Sequence, residues 1–188
     1  MCNYPMGMPQ GIRHMAPCLK SIVAGEPSAI TMNKGIAMRY MQPYVGKVPF
    51  IIQQMVVRPH PDDYFGDHAS VEEVVGLGAD AIAVAICVKS STEAAQINHL
   101  ASGVREAERF GLPVVPHIYP IGAEDEGASV SLLADDVFYA ARIGIEMGAD
   151  IVKVPYTGDI ATFADIVKAS PVPIVSAGGP TCKTPEEV

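Results

Sequence analysis

The segment Gly78-Ala-Asp-Ala-Ile-Ala-Val recurs 70 residues later as Gly148-Ala-Asp-Ile-Val-Lys-Val. In each copy a turn-forming Gly and an Asp lead into a short apolar run, the pattern of a strand buried on both faces. A second type of lead-in, Gly111-Leu-Pro-Val-Val and Ser170-Pro-Val-Pro-Ile-Val, lies between and after these copies. One helical pattern separates each strand from the next, so the chain reads as repeated β-α units around a parallel sheet. Right-handed crossovers then coil that sheet in one sense, into a barrel or an open doubly wound sheet.

Taken in order, the chain begins with a Met-, Gly- and Pro-rich loop over 1–11 and a helix over 12–25. Strands are expected at 29–32, 48–57, 80–88, 114–119, 151–154 and 172–176. Helices are expected at 35–46, 71–77, 92–110, 132–147 and 160–169, with Ser91 or Thr92 as the cap of the long one and Gly111 and Pro113 at its end. Residues 58–64 read as a polar loop, in which Asp62 and Asp63, with Asp67 just beyond, are better taken as solvated than as a carboxylate cluster. The count of six strands falls short of the eight, in about 250 residues, of a full (β/α)₈ barrel. One strand is therefore expected to be missing at each end of a single partial-barrel domain over 1–188, and an inactive truncated barrel stands as an alternative to a working enzyme.

Composition narrows the function. A formal net charge of −8 argues against a nucleic-acid surface, so an anionic ligand needs locally placed amides or cations. Cys2, Cys18, Cys87 and Cys182 are widely spaced, which suits reduced thiols and a cytoplasmic protein. No apolar run has the length of a membrane span. No Gly-x-Gly-x-x-Gly or Walker loop follows a strand, so nucleotide and dinucleotide sites find no support.

The candidate chemistry lies at strand ends. Lys153 is the one charged residue in the apolar run 151–155. Burial disfavours an ammonium and turns a lysine into a nucleophile towards carbonyls at neutral pH. The alternatives are a lysine that snorkels to solvent or pairs with a carboxylate such as Asp159. Tyr119 ends the preceding strand and is the candidate proton carrier, against the plainer role of a packed ring with a wet hydroxyl. Gly178 and Gly179, after the last strand, would let backbone amides approach a phosphate, or form a plain turn. His117 reads as core or as a supporting residue, and the five histidines lack metal-ligand spacing.

Ala149-Asp-Ile-Val-Lys-Val-Pro-Tyr-Thr-Gly-Asp and Pro171-Val-Pro-Ile-Val-Ser-Ala-Gly-Gly-Pro together resemble the archaeal-type class I fructose-bisphosphate aldolase family. Its close relative is 2-amino-3,7-dideoxy-D-threo-hept-6-ulosonate synthase, an aldol-transfer enzyme. Asn33-Lys-Gly, Gly78-Ala-Asp-Ala and His117-Ile-Tyr-Pro match in order and spacing. The resemblance implies a (β/α)₈ TIM barrel and a Schiff base between Lys153 and a phosphorylated ketose. It implies Tyr119 as acid/base residue, and Ser176, Gly178 and Gly179 as phosphate contacts. It implies neither metal nor organic cofactor, and small sugar phosphates as substrates. The two sheet edges left by the missing strands would recruit other chains, so a homo-oligomer is expected. The family's Tyr-Pro-Arg-Gly is Tyr119-Pro120-Ile121-Gly122 here, one cation fewer at the mouth.

Overall fold

Each apolar run picked out in the sequence becomes a strand of one sheet. The computed structural model describes residues 10–58, 64–122 and 130–178. Its strands are β1 (Ile30–Met32), β2 (Phe50–Arg58), β3 (Tyr64–Asp67), β4 (Ala81–Val88), β5 (Val114–Pro120), β6 (Val152–Pro155) and β7 (Ile174–Ala177). Six of them pair in the order β1-β2-β4-β5-β6-β7, all parallel. That parallel sheet curls into an α/β half-barrel.

The helices are α1 (Met15–Ala24), α2 (Lys34–Tyr40), α3 (Val71–Gly76), α4 (Glu93–Glu108), α5 (Ala134–Glu146) and α6 (Ile160–Ala169). Helix α4 packs on β4, and α5 on both β5 and β6. All eight residues of β4 are buried, as a central parallel strand requires. Ile82, Val84 and Ile86 join Leu100, Val104, Ile118, Val137, Val152 and Val154 in one apolar core. Each such side chain removed from water contributes about 1.5–3 kcal/mol, offset by the entropy of ordering the chain.

The repeated Gly-Ala-Asp segment is a latch between strands. Gly78 and Gly148 sit at φ 70° and 90°, where a β-carbon is disfavoured. The turn delivers Asp80 beside β2, where its carboxylate accepts the Phe50 N–H at 2.9 Å. Asp80 N–H donates in return to the Phe50 carbonyl at 3.0 Å. Asp150 does the same one pair of strands further on: its carboxylate accepts the Val114 N–H at 2.8 Å. Its own N–H donates to the Val114 carbonyl at 3.1 Å. These bonds satisfy the first donor of β2 and of β5, and so hold the start of each against the strand beside it.

Two local expectations need correction. Residues 64–67 are not loop but β3, paired antiparallel with Met55–Arg58, so Asp67 lies on a strand opposite Met55. The strand is four residues long and follows a Pro-rich run, so no alternation was long enough to read. Asp62 and Asp63 lie outside the described residues. At α4, Thr92 holds the cap position, but its side chain makes no capping bond. Its hydroxyl instead accepts from Gln96 Nε2 at 2.7 Å, while Gln96 Oε1 accepts the Cys87 N–H at 2.7 Å. The buried Gln96 thus ties the start of α4 to the end of β4. The strand expected from Val48 runs unbroken as β2, and its register with β4 slips at Gln53/Met55. Gln53 Nε2 bridges the slip by donating to the Met55 carbonyl at 2.6 Å.

Candidate active site

The two faces of the sheet are told apart by Gly144 of α5. A β-carbon there would lie 2.8 Å from Val152 Cγ2 and 3.0 Å from Ile118 Cδ1, so Val152 and Ile118 point towards the helix layer. Side chains alternate along a strand. His117, Tyr119 and Lys153 therefore point the other way, into the concave face of the half-barrel. On β4, a β-carbon on Gly103 of α4 would lie 3.6 Å from Val84 Cγ2, which puts Ala85 and Cys87 on the concave face too.

Register assembles these residues into rows. Ala85 pairs with His117, His117 with Lys153, and Lys153 with Val175. One row nearer the C-terminal ends, Cys87 pairs with Tyr119 and Pro155 with Ala177. Lys153 and Tyr119 are thus brought to the same face and the same end of the sheet, where barrels carry their chemistry. Tyr119 is half-buried at its strand end.

Lys153 is half-buried between the fully buried Val152 and Val154. Burial pushes its amine below the usual lysine range. Among the described residues no carboxylate pairs with it. Asp159, the partner weighed from the sequence, is occupied at the start of α6, where Asp159 Oδ1 accepts the Thr162 N–H at 2.8 Å. His117 is only 7% exposed, and its pKa is lowered to about 3, by burial first and by the Lys153 charge second. The imidazole is therefore neutral at physiological pH. A half-buried amine with no counter-ion among the described residues, in register with a neutral imidazole and one row from a phenol, is equipped for attack on a carbonyl.

The phosphate candidates are less tightly gathered. Ser176 pairs with Val154, so alternation sends its side chain to the helix side at that row, away from Lys153. It is exposed, one residue before the end of β7. Gly178 follows β7 directly, and a β-carbon on it would meet no atom within 4 Å. Gly179 lies outside the described residues. His117, read from the sequence as a core or supporting residue, is buried. Its position two residues before Tyr119 already puts both on one face, but only the pairing of β5 with β6 sets it opposite Lys153.

Residues 3–188 match the pattern of the DeoC/LacD family aldolase. The chain belongs to the DeoC/LacD aldolase family. Within it, the class 1 fructose-bisphosphate aldolase of Thermoproteus tenax is 39% identical over 165 residues, 84% of this chain and 59% of that protein. The 2-amino-3,7-dideoxy-D-threo-hept-6-ulosonate synthase of Halobacterium salinarum is 30% identical over 178 residues, 93% of this chain and 64% of that protein. An archaeal fructose-1,6-bisphosphate aldolase, solved with its catalytic lysine covalently bound to the carbinolamine intermediate of its substrate, superposes with a TM-score of 0.77. Identity there is 35%, over 92% of this chain and 67% of that one. The chain spans about three fifths of the length of these curated relatives. Its half-barrel corresponds to part of the TIM-barrel type of fold found in these aldolases.

Proposed function

We propose that this DeoC/LacD family chain is a Schiff-base aldolase, class I in type, that makes or breaks a carbon–carbon bond in a phosphorylated ketose such as fructose 1,6-bisphosphate. The observation that carries the reading is Lys153, half-buried on the concave face, its amine lowered by burial. The Thermoproteus tenax relative and the solved archaeal aldolase with its substrate-bound lysine support it.

In this reading the Lys153 amine attacks the ketose carbonyl carbon, and the carbonyl oxygen leaves as water to give a protonated imine. The carbon–carbon bond beyond the adjacent carbon then breaks, and its electron pair flows into the imine to give an enamine. Tyr119, as its phenolate, takes the proton from the hydroxyl that becomes the aldehyde, and as the resulting phenol returns it in synthesis. Protonation of the enamine and hydrolysis of the imine release the ketone product and the free amine. Ser176, Gly178 and Gly179 hold the phosphate, chiefly through amides at the end of β7. The imine is the electron sink, so the reading assigns no role to a metal or organic cofactor.

We further read residues 1–188 as a single domain of a cytoplasmic protein that works as a homo-oligomer. The support for the compartment is the four widely spaced cysteines, which suit reduced thiols. A second reading, the heptulosonate synthase branch, is favoured by the match to 93% of this chain.

The test is an assay with dihydroxyacetone phosphate and glyceraldehyde 3-phosphate, run beside one that offers aspartate semialdehyde as acceptor. Turnover of the first pair supports the fructose-bisphosphate reading, and product only with the second supports the synthase branch. No product from either, with no imine on Lys153, contradicts both.

A further inference from the structure

His117 and Lys153 are register partners across the β5–β6 boundary, with both side chains on the concave face. The row they share holds Ala85 on one side and Val175 on the other, so the imidazole is the sole polar neighbour of the amine in that row. We propose that His117 is a positioning residue for Lys153: its imidazole accepts an amine N–H and aims the nitrogen lone pair into the concave face. This deepens the Schiff-base reading and rests on it.

The geometry favours that role over plain packing. The imidazole is 7% exposed, and a buried polar ring is expected to find a hydrogen-bond partner. The Lys153 charge acts on the ring, so the amine lies within its electrostatic reach. A neutral imidazole carries one N–H and one lone pair, and an amine can meet that lone pair. The flexible four-carbon stem of a lysine needs such a restraint if its nitrogen is to be held for attack. Tyr119 stands one row nearer the strand ends, over the site where substrate would lie, so the two groups divide the work. His117 acts on the amine and Tyr119 on the substrate.

The experiment uses the full chain with dihydroxyacetone phosphate as probe. Borohydride traps the adduct, mass spectrometry gives its rate of formation on Lys153, and thermal unfolding reports folding. His117→Phe keeps an aromatic ring but no acceptor, and His117→Gln keeps an acceptor. The Phe variant is expected to slow adduct formation about 10- to 100-fold, with little change in the half-saturating concentration of probe. The Gln variant is expected to recover part of that loss. A folded Phe variant at the parent rate, or a Gln variant as slow as the Phe variant, overturns the proposal. Should the Phe variant not fold, His117→Ala with added imidazole decides: acceleration by imidazole upholds the role and its absence overturns it. A parent chain that forms no adduct sinks the Schiff-base reading together with this one. That outcome is distinct from a reactive parent with unaffected variants.

Discussion

Gly144 of α5 lies directly over Val152 of β6: a β-carbon on residue 144 would stand 2.8 Å from Val152 Cγ2. Closer than real carbon contacts allow, this approach seats α5 against the strand and turns the neighbouring Lys153 to the opposite face. Sequence, packing and site meet at this contact.

Gly144→Ala is expected to destabilise the protein despite the better helix former. Alanine gains about 1 kcal/mol in helix propensity over glycine. Overpacking a filled core costs about 1–3 kcal/mol, and the β-branched Val152 cannot easily swing aside. Gly144→Val should cost more than Gly144→Ala. Urea unfolding measures both, and an alanine variant more stable than the parent would mean that α5 lifts freely off β6.

The cap of α6 gives a pH-dependent prediction. Hydrogen bonds from Thr162 to Asp159 hold its carboxyl below the usual carboxylate range. A lowered folded pKa means that the stabilisation is fully present above the unfolded value of about 3.9. It is lost as the pH falls through the lower folded value. Asp159→Ala should therefore lower the melting temperature at pH 7, and the gap to the parent should close in stronger acid. Asp159→Asn keeps a cap acceptor without the charge, so its melting temperature should depend less on pH than the parent's. A gap that stays constant from pH 7 down to strong acid would show that the carboxylate charge is not what holds this helix end.

Much of this architecture was legible because it rests on local pattern. The Gly-Ala-Asp repeat, the helical spacing between runs and the lone Lys153 are all visible within a few residues. Helix α6 falls at the expected 160–169 because Asp159 caps its start and Pro171 lies just past its end. What stayed hidden depends on pairing between strands. The antiparallel β3 needs β2 beside it, and the pairing of Asp80 with Phe50 needs β4 laid against β2. His117 could be put on the face of Tyr119 by counting, but nothing in β5 alone says that Lys153 lies opposite. Ser176 shows the converse: the motif that contains it draws attention, whereas its register with Val154 turns its side chain from the lysine row.

Tyr119→Phe should leave imine formation on Lys153 nearly intact and lower carbon–carbon bond turnover by about 10²–10⁴-fold, the usual contribution of a general acid or base. Comparing borohydride trapping with cleavage on one preparation separates the two steps. Parental cleavage by the variant would make Tyr119 a packing residue.

The central claim is that Lys153 is the nucleophile, and covalent trapping tests it most directly. The chain is incubated with dihydroxyacetone phosphate, reduced with borohydride and digested, and the modified peptide is sequenced by mass spectrometry. The account predicts the added mass of the reduced substrate on Lys153, and its loss in Lys153→Met. The same mass on Lys34 or Lys168, with Lys153 unmodified, would contradict it.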